Sequence, residues 1–188
     1  MRKILITLAF SVLAIAATSG LASAQNSLEN LYYDVAEDGI RFVFDDAPLL
    51  ENGFPAYGNS FVTIGYLYNW GKLSVNGSGE VNGVNANGSP QFPNDVKGLW
   101  HCRGWFIGDG ADTLTGAWTL THQLYQINGK GEIATDGVEL VDIGVQGTRA
   151  ITGGTDRYKR ASGEQKQTLL GFNQTGGVGL RVHLRVYR

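Results

Sequence analysis

The chain has 188 residues and a formal charge of −2, with 27 glycines, 4 prolines and a single cysteine. Near-neutral charge without a basic stripe excludes a nucleic-acid partner, and one cysteine excludes an internal disulfide framework. Abundant glycine, scarce proline and the lack of any sustained 3.6-residue apolar period exclude a helical domain.

Taken in chain order, the sequence opens with MRKILITLAFSVLAIAATSGLASAQ. Arg2 and Lys3, an apolar run from Ile4 to Ala17 and the small residues Ala22-Ser23-Ala24 describe a cleaved export leader over residues 1–24. Residues 25–188 are then expected to form one secreted or periplasmic domain with no stable membrane insertion. Removing Arg2 and Lys3 takes the formal charge from −2 to −4.

Short runs of aromatic and β-branched residues predict strands at Leu31–Val35, Ile40–Phe44, Phe61–Trp70, Gly98–Ile107, Gly116–Ile127, Gly137–Thr148, Tyr158–Phe172 and Val178–Tyr187. The last alternates most clearly, with Leu180, Val182, Leu184 and Val186 on one face and Arg181, His183, Arg185 and Tyr187 on the other. In the Gly98 strand Trp100, Cys102, Gly104 and Phe106 share one face and His101, Arg103, Trp105 and Ile107 the other, and alternation leaves open which looks inward. Eight strands in an all-β domain of this length fit a two-sheet sandwich or a closed up-and-down barrel. The short connections favour the antiparallel eight-stranded barrel with an inner cavity.

Between Asn76 and Lys97 the chain runs NGSGEVNGVNANGSPQFPNDVK, long for a compact domain. It reads as a lid over a barrel mouth, or else as a floppy surface excursion or a hairpin with a weak EVNGVN strand. Asn76-Gly-Ser, Asn87-Gly-Ser and Asn173-Gln-Thr match the glycan acceptor pattern. Cys102 is expected to be buried. His101, His122 and His183 lack metal-ligand spacing, no nucleophile elbow or dinucleotide fingerprint occurs, and no metal or cofactor is expected.

AITGGTDRYKRASGE, residues 150–164, places a double glycine and a basic cluster between two strand-like flanks. With Ala150-Ile151-Thr152-Gly153-Gly154-Thr155, then Tyr158, Ala161 and Gly163, it resembles the glycine signature of plant allene oxide cyclases and dirigent proteins. DDAPLLENGFPAYGNSFVTIG, Asp45 to Gly65, is similar to the dirigent Asp-Asp-Pro-Leu segment with Ala47 inserted. LRVHLRV is similar to the last barrel strand of both families. The resemblance implies an eight-stranded barrel, often trimeric, that folds a flexible lipophilic substrate so that it cyclises with one stereochemistry.

The chain departs from the family pattern at several positions. Asp34 stands where the cyclase keeps a glutamate, Ala36 where it keeps an asparagine and Leu67 where it keeps a cavity cysteine, while the dirigent acid before the glycine pair is Thr148. On this reading Asp34, Tyr66 and Arg149 polarise the substrate, and Tyr68, Trp100, Trp105, Trp118, His122 and Tyr125, with Trp70 beside them, supply the binding wall. The expected partners are a hydrophobic small molecule and further copies of the chain in a homotrimer or homodimer. A non-catalytic, lipocalin-like carrier or a filled structural barrel is the alternative.

Overall fold

A computed structural model describes residues 27–108 and 112–188, so the leader expected over 1–24 lies outside the described residues. Long strands form at β1 (Leu28–Glu37), β3 (Ser60–Asn69), β5 (Gly98–Phe106), β6 (Ala117–Ile127), β7 (Gly131–Leu140), β8 (Gln146–Gly154), β9 (Ser162–Asn173) and β10 (Val178–Tyr187). Two short ones, β2 (Val43–Phe44) and β4 (Glu80–Val81), attach to the edges of β3 and β9. Each long strand runs antiparallel to the next, and β1 closes the ring by pairing with both β10 and β3. The result is a closed eight-stranded antiparallel barrel, and the sandwich alternative is eliminated.

The predicted strand boundaries need three corrections. Ile40–Phe44 is not a barrel strand: Asp38 accepts a hydrogen bond from the Ile40 amide at 3.1 Å, a 3-10 turn follows over Gly39–Arg41, and only Val43–Phe44 pairs. Gly137–Thr148 is the end of one strand and the start of another, separated by a turn in which Gly144 takes a φ of +81°. Tyr158 lies in a 3-10 turn (Asp156–Tyr158), and β9 begins only at Ser162.

Alternation decides which face looks inward. On β10 Leu180, Val182, Leu184 and Val186 are buried, and on β5 Trp100, Cys102 and Phe106 are buried while Trp105 is half exposed. Inside, the barrel is layered. At one end Leu31, Tyr33, Ile127, Ile133, Ile151 and Val186 pack around buried Tyr158. Midway, Gln123 donates to Gln167 at 3.0 Å and accepts from Tyr125 at 2.6 Å and Gln165 at 2.9 Å, so a belt of amides crosses the core. Joined in this way, the buried amides hold a register that apolar side chains alone would leave looser, while the Gln165 Oε1 is left without a protein partner.

The glycine signature closes the apolar end. A Cβ on Gly154 would meet the Glu132 carbonyl oxygen at 2.5 Å and that of Tyr158 at 2.7 Å, so only glycine lets β8 turn onto the Tyr158 plug.

The Asn76–Lys97 stretch is neither a mouth lid nor a loose excursion. It is an ordered strap on the outer wall, where Val81 and Val84, together with Leu73 just before the stretch, bury against Ala36 and Tyr68. The two residues of the EVNGVN segment that form a strand, Glu80 and Val81, pair in parallel with Phe172 and Asn173. All three Asn-x-Ser/Thr triplets close side-chain turns of one kind. Asn76, Asn87 and Asn173 each accept hydrogen bonds from the backbone amide and the hydroxyl of the Ser or Thr two residues on.

Candidate functional site

The barrel wall divides the residues singled out in the sequence into two groups. Asp34, Tyr66, Tyr68, Trp105 and His122 are outside it. Asp34 is fully buried beneath the strap, accepting from Arg181 at 3.0 and 3.2 Å and from the Leu73 amide at 2.8 Å. Arg181 in turn lies over the Trp70 ring at 5.3 Å. Tyr66 and Tyr68 donate to the strap carbonyls of Gly88 and Gly83, each at 2.8 Å. His122 pairs with Asp136 across β6 and β7 at 3.1 Å.

These contacts make Asp34 a fastening for the strap. Asp34→Ala is expected to lower unfolding stability by about 2–3 kcal/mol, because it leaves the buried Leu73 amide without an acceptor and Arg181 without its carboxylate partner. Chemical denaturation checks this, and ligand binding inside the barrel is expected to be unchanged.

Trp100, Trp118, Tyr125 and Arg149 face inward. Arg149 patches the wall where the β7–β8 ladder ends at Asp136↔Ala150. It donates to the carbonyls of Thr121 at 2.8 Å, Gly137 at 3.1 Å and Val138 at 3.4 Å, and stands 3.7 Å from Glu139. Tyr125 is committed to the glutamine belt, and its desolvated phenol is pushed far above the usual range.

Above that belt, at the end opposite Tyr158, is a cavity of about 260 Å³. The C-terminal ends of β1, β5, β7 and β9 meet there with the N-terminal ends of β3, β6 and β10. A chain of aromatic rings forms its wall: Phe61 tilted against Phe106 at 5.3 Å, then Phe106 to Trp118 at 5.8 Å and Trp118 to Phe172 at 6.3 Å, both edge to face. Phe42 stacks on Phe61 at 5.0 Å, and Phe54 and Pro55 reach the lining from the segment before β3. Asn59 holds that segment by donating to the carbonyls of Asp45 at 2.8 Å and Pro48 at 2.9 Å, while the Asp45 carboxylate accepts from Ser60. The Asp-Asp segment therefore shapes the mouth, with both carboxylates on the solvent side.

The polar floor consists of Glu37, Glu139, Cys102, Thr63 and Thr119. Glu37 accepts from the Val178 amide at 2.6 Å. Burial pushes its carboxyl up from the ordinary 4.5 to about 7, with the charges of Glu139 and Asp38 adding to the rise. Glu139 accepts from Thr121 at 3.1 Å, from Gln123, and weakly from the Cys102 thiol at 3.8 Å. Burial first, then the charges of Glu139 and Glu37, push that thiol well above its usual range, so Cys102 is a neutral wall atom rather than a nucleophile. The Thr119 hydroxyl and the Trp118 indole N–H have no protein partner, and the Thr63 hydroxyl stands beside Glu37 without meeting hydrogen-bond geometry. Among the described residues no three His, Cys, Asp or Glu side chains gather in a group able to hold a metal.

Glu37 and Glu139 are not among the residues singled out in the sequence, although their positions carry a signal. Glu37 continues the inward face of Leu31, Tyr33 and Val35 two residues past the predicted end of β1, and Glu139 was hidden by the strand drawn through the turn at 141–145. A charged residue continuing an apolar face is the signal that identifies such a position.

No family model and no curated protein matches the chain. Solved structures do. The chain is similar to the pterocarpan synthase dirigent protein PsPTS1 with a TM-score of 0.62 and 12% identity, over 87% of this chain and 97% of that one. The pterocarpan synthase dirigent protein GePTS1 gives a TM-score of 0.59 and 11% identity, over 96% and 99%. A pyocyanin demethylase gives 0.51 and 18%, over 84% and 99%. At these identities the likeness is one of architecture: the chain shares the barrel fold of these proteins, the fold that the resemblance of the glycine signature, the Asp-Asp segment and the last strand implies.

Proposed function

We propose that the barrel binds a small lipophilic molecule in the aromatic cavity and turns it over there by templated proton transfer, as a cyclase or isomerase. The observation that carries this reading is the convergence of Glu37 and Glu139 on the floor of an otherwise aromatic cavity. A carrier needs only apolar walls, whereas a buried carboxyl titrating near neutrality is suited to give and take protons. The walls hold a flexible ligand with its reacting ends together and keep water away from the intermediate. As the ring closes, Glu37 takes the proton from the attacking hydroxyl and returns it to the atom that receives the electron pair. The reaction is then an isomerisation, with nothing oxidised. The neighbours' named activities, pterocarpan synthesis and pyocyanin demethylation, accord with small-molecule chemistry in barrels of this shape.

Titration with the neutral fluorescent probe N-phenyl-1-naphthylamine tests the binding half. Saturable enhancement at one probe per chain, abolished by the cavity-filling variant Thr119→Trp, is the expected result. Absence of saturation, or an unchanged response in the variant, overturns it. Product analysis with hydroxylated polyenes, comparing the protein with Glu37→Gln, tests the catalytic half. Equal product yield and stereochemistry in the two proteins contradicts it.

The reading includes export, directed by the leader, and self-association. Trp105, Leu120 and Val138 are cross-strand neighbours on the outer wall and all three are exposed, a stripe that copies of the chain would bury. Light scattering is expected to give a dimer or trimer at micromolar concentration, and a monomer contradicts this part.

A further inference from the structure

We infer that the cavity selects a flat organic cation, or a ligand that becomes cationic as it reacts, with its positive charge set against the Glu37 carboxylate. This rests on the proposal that the cavity is the ligand site and specifies the charge of what enters.

Three observations carry it. First, among the described residues the only charged side chains lining the cavity are the carboxylates of Glu37 and Glu139. Second, the two are not equally compensated. Arg149 stands 3.7 Å from Glu139, while Glu37 has the Val178 amide and the Thr63 hydroxyl beside it and no cation. The groups around Glu37 are Asp38 on its own chain segment, Glu139 from β7 and the neutral Cys102 thiol from β5. Asp38 is itself held by Arg41 at 3.3 Å. The nearest charges acting on Glu37, those of Glu139 and Asp38, are both negative, and the cations Arg149 and Arg41 pair with those neighbours rather than with Glu37. Third, the surrounding wall is built of Phe and Trp rings, whose π-faces attract cations and offer nothing to an anion.

An unpaired buried carboxylate is costly, and the native protein relieves that cost by protonating Glu37. A bound cation relieves it differently, by supplying the missing partner. Binding of a permanent cation then expels the Glu37 proton, and affinity rises with pH until Glu37 is already ionised. A neutral ligand of the same shape has no such dependence. An anion is rejected by both carboxylates.

The test is calorimetric titration of the full-length protein with N-methylquinolinium and with its neutral isostere 1-methylnaphthalene. Neither probe titrates, so any pH dependence belongs to the protein. At about pH 8 the cation is expected to bind at least about tenfold more tightly than the isostere. At about pH 6 its affinity is expected to fall by about tenfold while that of the isostere holds. Glu37→Gln is expected to abolish both the preference and the pH dependence. The wild-type pH series stands by itself if that variant folds poorly.

Equal affinities for the two probes overturn the charge assignment and leave the cavity-binding proposal in place. Saturable binding of neither probe overturns both. A cation preference that survives in folded Glu37→Gln, or does not change with pH, removes Glu37 as the partner and overturns the inference.

Discussion

Glu37→Gln is expected to make the protein more stable above neutral pH while removing its capacity for proton transfer. The folded-state pKa of about 7 lies above the ordinary 4.5, so the native protein retains a proton that the unfolded chain has lost between those values. Stability therefore falls as pH rises from about 4.5 to 7 and is flat with respect to this group on either side. The difference corresponds to roughly 3 kcal/mol at about pH 8, or roughly 6–12 °C in Tm for a chain of this size. Glutamine keeps an oxygen for the Val178 amide and never ionises, so it escapes the loss. Thermal melts across this range are expected to converge for the two proteins at low pH and separate above neutrality, with the variant higher. Coincident melts at every pH would show that Glu37 ionises normally in the fold. Greater stability accompanied by lost function is what is expected when a site holds a group in an unfavourable state for chemistry.

Gly163→Ala is expected to have an effect of similar size in the opposite direction. Gly163 sits at φ +134°, and a Cβ there would lie 2.0 Å from the Arg185 carbonyl oxygen on the neighbouring strand. Neither atom is on a flexible side chain, so β9 and β10 must separate locally. A cost of about 3 kcal/mol or more follows from combined strain and clash, lowering Tm by roughly 6–12 °C. Gly153→Ala is the control. It belongs to the same signature, yet an added Cβ meets nothing within 4 Å, and its stability is expected to change by less than about 0.5 kcal/mol. Denaturant unfolding of the two variants checks both. Equal costs would mean that the signature is needed for something other than the close approach of strands at the plugged end.

The fold was largely legible because a barrel writes its alternation into each strand. Leu180 to Val186 gave the inward face of β10 directly, and the glycine signature marked a closing corner. The corner's purpose became clear only with Tyr158, which was read as strand and is the plug. The site was less legible for two physical reasons. The outer wall beneath the strap is as buried as the interior, so Asp34, Tyr66 and Tyr68 carry the composition of a lined pocket although they fasten a strap. The interior also departs from simple apolar filling. Gln123, Gln165 and Gln167 face inward where a polar residue ordinarily signals solvent, and their mutual hydrogen bonds, which make this tolerable, join residues more than forty positions apart. Pairings of that kind do not appear in local spacing. Glu37 and Glu139 belong to the same class of exception: Glu37 lies past the predicted end of its strand at Val35, and Glu139 falls within the predicted strand Gly137–Thr148, which runs on through a turn.

The most direct test of the account is the titration of Glu37 itself. Carbon-detected NMR of the glutamate side-chain carboxyls, with the Glu37 signal assigned by its absence in Glu37→Gln, reads the ionisation of this one group in the intact protein. A midpoint of about 7 is expected, with the ordinary midpoint restored in the unfolded chain. A folded-state midpoint near 4.5 would mean that water or a counter-charge reaches this carboxylate, and the proton-transfer and cation-binding roles assigned to the cavity floor would lose their basis.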